Sequence, residues 1–428
     1  MDREMDEAWA MYERMVVTIM LKIIERTERD PAYGFIDTKV DLISGEDFSP
    51  DDELRGKGTI YAWIQGRGLE ALAGHAKLVG EDRIKPVAAR VMERMEELRA
   101  AAGGLSFMMR PTGEMLAVRG GQVVVKERGG ASNVSDLFYG KGLAATAAML
   151  GDERRLEEAK RILWRAVEDV RAGRFESDQE QLDSRNPVGP VAGRSGHGAR
   201  MLLVGAAALM VELTKDEEWA EMGREMIEHV LRWHVDIERG TFDMWEFVDT
   251  ERRPYLEDGK LRSDPGHATE FVGLSLKFLR VCEGTCSDPA LRGGVGGKWR
   301  DVLGKVLRRN FENGFSKKGM GMYKAFDLIF RKPMNTDMPW WNLPETMRAG
   351  MEAAACTRDE VERERFLAIV RQCSNAFMKY FVRADRWLMA NQTVDENGDV
   401  VARVPATPDA DPGYHTGLSL IDCLRVRG

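Results

Sequence analysis

The stretch Leu261-Arg262-Ser263-Asp264-Pro265-Gly266-His267-Ala268-Thr269-Glu270-Phe271-Val272-Gly273-Leu274 reads as a helix start running into an apolar helix. Ser263 or Asp264 can accept hydrogen bonds from the free N–H groups of the first turn. Pro265 fits that turn because its missing N–H would have had no intrahelical partner. The apolar run continues to Leu279, and His267 and Glu270, three residues apart, share one face of the first turn. Asp411-Pro412-Gly413-Tyr414-His415-Thr416-Gly417-Leu418 has the same build. Each segment sets an imidazole at the opening of an apolar helix, and together they point to a two-base site. The competing reading is that Pro-Gly merely starts two helices whose histidines serve packing.

Outward from these segments the chain alternates apolar and amphipathic helices. The apolar ones are Lys57 to Val79, Asp136 to Leu150, His197 to Met210, His267 to Leu279, Glu345 to Ala355 and His415 to Leu424. Asp6 to Glu28 opens the chain. Glu81 to Ala102, Asp152 to Ala172, Lys215 to Trp233, a helix containing Val302 to Phe311, and Glu360 to Phe381 carry charges on one face. The connecting segments are loops rich in Gly, Pro and Asp: Pro31 to Gly56, Gly173 to Arg194 with Asn186-Pro187, Phe242 to Leu261, and Arg386 to Asp409, which has room for a short hairpin. Ala117 to Lys126, with Gly120 and Gly121, is the one convincing strand pair.

The apolar helices begin at a spacing of roughly 70 residues, giving about twelve helices in six hairpins. Six hairpins can stack as an open solenoid or close into a ring. Closure is favoured because an open solenoid needs polar terminal caps, whereas the last helix here is as apolar as any internal one. The expected fold is all-α, an (α/α)6 toroid of six helical hairpins with small β-hairpin insertions, spanning residues 1–428 as a single domain.

Composition narrows the function classes. There are 62 basic against 70 acidic residues, a net charge of -8, and no basic block with interleaved aromatics, so a nucleic-acid partner is not expected. Met15 to Ile24 is too short and too interrupted to span a bilayer, and the N-terminus lacks the pattern of a signal peptide, so neither membrane attachment nor export is expected. The five cysteines read as free thiols of a reducing, cytoplasmic compartment. Met, Leu and Ala on the outer helices leave a homodimer open.

In a closed ring the inner helices run parallel, so their N-terminal ends meet at one mouth. Arg67, Asp136, Tyr139, His197, Arg200, His267, Glu270, Trp341, Glu345 and His415 all fall in or near that layer. Two histidines on either side of a bound sugar can remove and return a proton at a carbon next to a carbonyl, and Glu270 can orient His267. Arg67 can stabilise charge on the oxygens of an enediolate, or else pair with Glu70. Trp63, Tyr139, Trp245, Trp341 and Tyr414 offer apolar faces to a pyranose, and Glu345 can accept sugar hydroxyls. An arginine at 200 would favour an acidic or sulfonated sugar. No P-loop, dinucleotide fingerprint or zinc-protease motif occurs, and His267 with Glu270 would need His197 or His415 as a third metal ligand. No metal and no other cofactor is expected.

The segment Pro265-Gly266-His267-Ala268-Thr269-Glu270 resembles the Pro-Gly-His-x-x-Glu segment of the N-acylglucosamine 2-epimerase superfamily, which includes cellobiose 2-epimerases and mannose or related aldose-ketose isomerases. Tyr414-His415-Thr416 is similar to its C-terminal Tyr-His segment, and Trp341 through Glu345 to its Trp-Trp followed by Glu. Trp63 with Arg67 resembles its Arg-bearing second helix, and Asp136-Leu137 with Tyr139 its Asp-Leu-Tyr segment. The resemblance implies an (α/α)6 toroid with no required metal that acts on an open-chain sugar. It makes His267 and His415 the acid/base pair. Around His197 and Arg200 the chain departs from the family's His-x-His-x-x-Glu pattern, which bears on substrate contacts. The expected activity is sugar 2-epimerisation or aldose-ketose isomerisation. The alternatives are a glycoside hydrolase or lyase on the same toroid, using carboxylates such as Glu345 with Asp411 or Asp264, and a non-catalytic carbohydrate-binding protein.

Overall fold

The computed structural model describes residues 3–185, 188–287 and 295–427; Asn186-Pro187, expected in a loop, lie outside them. Among the described residues twelve α-helices follow one another: α1 (Arg3–Arg29), α2 (Ala62–Val79), α3 (Glu81–Ala102), α4 (Val134–Leu150), α5 (Glu153–Arg171), α6 (Gly198–Thr214), α7 (Glu217–Trp233), α8 (Pro265–Thr285), α9 (Val295–Gly314), α10 (Asn342–Cys356), α11 (Glu360–Ala376) and α12 (Ser419–Arg427). Successive even-numbered helices touch one another, and the segment leading into α12 packs back on α2, so they close the inner ring of an (α/α)6 toroid. The odd-numbered helices lie outside. No described helix is long and apolar enough to cross a membrane.

The split between layers follows from side chains. In α4 every residue from Val134 to Ala147 is buried, because it is enclosed on all sides. In α5 the buried positions are Ala159, Leu163, Ala166, Val167, Asp169 and Val170, one stripe facing inward. Close approach of α2 and α4 depends on missing side chains. A Cβ on Gly142 would stand 2.3 Å from the Gly66 carbonyl oxygen, and one on Gly66 would stand 2.6 Å from the Phe138 carbonyl carbon.

Among the described residues twelve short strands lie in the segments between helices. The strands β1 (Ile60–Tyr61), β2 (Met108–Met109), β3 (Met115–Arg119) and β4 (Gln122–Lys126) form one antiparallel sheet in that order. The β3–β4 turn is Gly120-Gly121, both at positive φ (58° and 81°), as a two-residue turn between Arg119 and Gln122 requires. Next come β5 (Ser195–Gly196), β6 (Phe247–Val248), β7 (Leu256–Glu257), β8 (Lys260–Ser263), β9 (Ala325–Asp327), β10 (Lys332–Asn335), β11 (Met338–Pro339) and β12 (Thr393–Val394). A second sheet runs β10-β9-β8-β7, while β5 pairs with β6 and β11 with β12. The β5–β6, β8–β9 and β11–β12 pairs join loops far apart in sequence, so local pattern does not reveal them.

Three expectations are corrected. Helix α2 begins at Ala62 rather than Lys57, because Ile60 and Tyr61 pair with Met109 and Met108. Helix α6 begins after His197, which stands at its cap position. The His415 segment does not copy the His267 segment. Gly413 takes φ 86°, and Tyr414–Leu418 form a wider π-turn before α12. Asp411 secures this turn by accepting from the backbone N–H groups of Tyr414 (3.0 Å), His415 (3.3 Å) and Thr416 (2.9 Å).

Candidate active site

Asp264, rather than Ser263, caps α8. Its Oδ1 accepts from Gly266 N at 3.0 Å and His267 N at 3.2 Å. Its Oδ2 meets Lys324 Nζ at 2.8 Å and lies 3.5 Å from His267 Nδ1. His267 Nδ1 also bonds Glu246 Oε1 at 3.0 Å. The second Glu246 oxygen is 3.3 Å from Nε2 of the buried His197. One carboxylate therefore spans two imidazoles. Burial opposes the charged form of His267, but Asp264 and Glu246 outweigh it and hold the imidazole up at about 9. Glu246 is buried too, yet the two histidines keep it well below the usual carboxylate range.

His415 bonds a different carboxylate. Its Nδ1 lies 2.9 Å from Glu345 Oε1, and Arg348 binds the other Glu345 oxygen. Burial would raise Glu345, but Arg348 first and His415 second bring it below its ordinary value. Nearby Glu270 goes the other way, raised by burial and by the charge of Glu345. The indole of Trp341 stands against both catalytic candidates: its ring centroid is 5.4 Å from His267 and 5.5 Å from His415, tilted 31° and 35°. The sequence-derived pair His267 and His415 thus meets at one aromatic wall. With each Nδ1 turned to a carboxylate, each Nε2 is the nitrogen left for a ligand.

Arg67 completes the group. Its guanidinium sits 4.1 Å over Phe138, 5.4 Å over Trp63 and 5.5 Å over Tyr414, and makes no hydrogen bond or ion pair among the described residues. Burial lowers its pKa, opposed by Tyr414, Glu270, Asp411 and Glu345. Glu70, the alternative partner, pairs with Lys141 at 3.0 Å. Lys141 also donates to the Tyr414 hydroxyl at 2.7 Å, fixing that ring beside His415. Trp63 is held from the far side, its Nε1 donating to Asp178 Oδ1 at 3.1 Å. Asp178 is pushed up to about 6 by burial.

Two expected contacts turn elsewhere. Tyr139 points into the outer layer, its ring 5.9 Å from the Arg99 guanidinium and its buried hydroxyl without a hydrogen bond. Adjacent helical residues diverge by about 100°, so Phe138 takes the inner face and Tyr139 cannot. Arg200 likewise points outward, its guanidinium 3.4 Å from the Val170 carbonyl and near Arg252 and Glu225. It offers no basis for selecting an acidic sugar. Sequence reasoning missed Glu246, Lys324, Lys141, Asp178 and Arg348. Arg348 and Lys141 left a trace, each as a charge inside an apolar helix.

Two sets of donor atoms are close enough to hold a cation: Glu246 with Asp264 and His267, and Glu270 with Glu345 and His415. In the first set Lys324 and His267 offset the carboxylates, and in the second Arg348 does. Each set is thus faced by cationic side chains. Three carboxylates a hydrolase could use, Asp264, Asp411 and Glu345, are each engaged in capping or ion pairing.

Solved structures share this architecture. A cellobiose 2-epimerase from Spirochaeta thermophila DSM 6192 is 13% identical with a TM-score of 0.69, covering 100% of this chain and 99% of that one. A sugar epimerase from a ruminal bacterium is 14% identical (TM-score 0.65; 92% and 90% covered), and a D-mannose isomerase is 14% identical (TM-score 0.63; 95% and 97%). No curated protein matches the sequence. The N-acylglucosamine 2-epimerase (GlcNAc 2-epimerase) family model matches residues 86–416, a span that holds His267, Glu345 and His415, and the chain belongs to that family.

Proposed function

We propose that the protein is a sugar 2-epimerase or aldose-ketose isomerase acting on an open-chain monosaccharide of the N-acylglucosamine or mannose type by histidine-mediated proton transfer at C2. The observation that carries this reading is the pair of imidazoles against Trp341, each bonded through Nδ1 to a carboxylate. Asp264 and Glu246 favour a charged His267, suited to give a proton. His415 faces a carboxylate already neutralised by Arg348 and suits the base. In this scheme His415 Nε2 takes the C2 proton, and the electron pair moves toward C1 and its oxygen. Arg67, with no hydrogen-bond or ion-pair partner among the described residues, binds that oxygen as charge develops. Return of a proton to C2 from His267 on the opposite face gives the epimer; delivery to C1 from His415, with the O2 proton passing to the C1 oxygen as the C2 carbonyl forms, gives the ketose. Glu270, raised by burial and by the charge of Glu345, lies beside His415 and can hydrogen-bond a sugar oxygen. Trp63, Trp341 and Tyr414 supply apolar faces.

The test is product analysis after incubation with mannose, N-acetylglucosamine and cellobiose, the last suggested by the name of a structural relative. A new epimer or ketose supports the proposal. New reducing ends from oligosaccharides, without either product, would refute it in favour of glycoside cleavage.

A further inference from the structure

Glu345 is shared between an imidazole and a guanidinium. His415 Nδ1 holds Oε1 at 2.9 Å, and Arg348, one turn along α10, holds Oε2. Arg348 is 5% exposed and is fastened from behind. Its Nη1 lies 3.7 Å from Asp422 Oδ2 on α12, and Lys277 on α8 bonds that same oxygen at 2.7 Å. The guanidinium is thus set by three inner helices. Among the described residues no guanidinium or ammonium holds Glu246, whose second oxygen faces His197, while Lys324 pairs with Asp264. The two histidines have been given carboxylates of different kinds: one shared with an imidazole, the other with a permanent cation.

We infer that Arg348 is a positioning residue that, by holding the second oxygen of Glu345, weakens that carboxylate's hold on a proton at His415, keeps Nδ1 on Glu345 and Nε2 toward the substrate, and so makes His415 the base of the pair. The inference rests on the proton-transfer reading of His415. A carboxylate bound to guanidinium stabilises a neighbouring imidazolium less than a free one does, and the guanidinium itself repels the added proton. The other charged or titratable groups around His415 are Glu270 on α8, Arg67 on α2, Asp411 before the π-turn, Asp422 behind Arg348, and Tyr414 with Lys141 from α4. Removal of Arg348 leaves all of these and deletes one fixed positive charge.

The test is a heteronuclear NMR titration of the full-length protein, with the His415 imidazole assigned by its loss in His415→Gln. Arg348→Met is expected to raise the His415 midpoint by about one pH unit or more. Arg348→Gln, which retains a donor and most of the volume, gives the same direction should the Met variant not fold. Arg348→Lys, which keeps the charge, is expected to restore most of the wild-type midpoint. In kinetics, the acid limb of kcat/KM moves up by the same amount, with kcat falling and KM little changed. A midpoint unmoved or lowered in both neutral variants overturns the inference. The titration is read on free protein, so a shifted midpoint in a protein that turns over no sugar would sustain the role of Arg348 and count against the sugar chemistry.

Discussion

Asp264 and, through both its charge and a hydrogen bond, Glu246 hold the charge on His267. A group whose pKa rises on folding binds more protons in the folded state, so its stabilisation is full below the unfolded value and fades as pH passes the folded one. For His267 that window runs from 6.5 to about 9. Glu246→Gln is therefore expected to flatten the loss of stability between those limits, measured as the urea midpoint at both ends. An unchanged slope would show that Glu246 does not hold the proton. The histidines themselves were legible because Pro-Gly and an apolar helix follow each capping carboxylate. Glu246 was not, since it stands in a polar loop with no period and is brought to His267 by a contact between loops, its backbone N–H bonding the Arg262 carbonyl at 3.0 Å. Tyr139 shows the opposite failure, where a likeness in sequence put an aromatic in the site and helix geometry turned it away.

Helix spacing explains how the mouth is assembled. α2 and α4 carry Arg67, Phe138 and Lys141 to the same place only because Gly66 and Gly142 let the two backbones approach. Alanine at 142 would gain about 1 kcal/mol of helix propensity but place its Cβ against a carbonyl that cannot retreat. The net expectation for Gly142→Ala is a loss of about 1–3 kcal/mol by urea denaturation, as for other overpacked interiors. A stabilised variant would mean that the helices sit further apart. At this scale the alternation of apolar and amphipathic helices was readable because burial on all sides and burial on one stripe leave different patterns. The π-turn at Tyr414–Leu418 was not, because it depends on Gly413 adopting positive φ and on three backbone N–H groups converging on Asp411. Such turns occur often at functional sites, and this one sets the direction of His415.

Closure of the ring joins the two ends of the chain. Lys39 Nζ bonds Asp409 Oδ1 at 2.8 Å, Thr38 Oγ1 bonds Oδ2 at 2.9 Å, and Ala410 N reaches the Thr38 carbonyl at 3.0 Å, all buried. Asp409→Ala would strand the Lys39 charge and is expected to cost about 3–5 kcal/mol, seen as a lower urea midpoint; a change below experimental error would mean that closure does not depend on this contact. Closure also brings His415, near the end of the sequence, beside Trp341 and within reach of the pocket floor built by α2 and α4. The choice of ring over solenoid could be argued from the apolar last helix alone, whereas the short strands that bind the mouth loops to one another could not. The central claim, that the ring encloses a two-histidine proton-transfer site, is tested most directly by proton NMR of free aldoses incubated with the protein in deuterated water, comparing wild type with His267→Ala and His415→Ala. The account predicts deuterium at C2 with the wild type and its loss in either variant, and exchange that persists unchanged in both would contradict it.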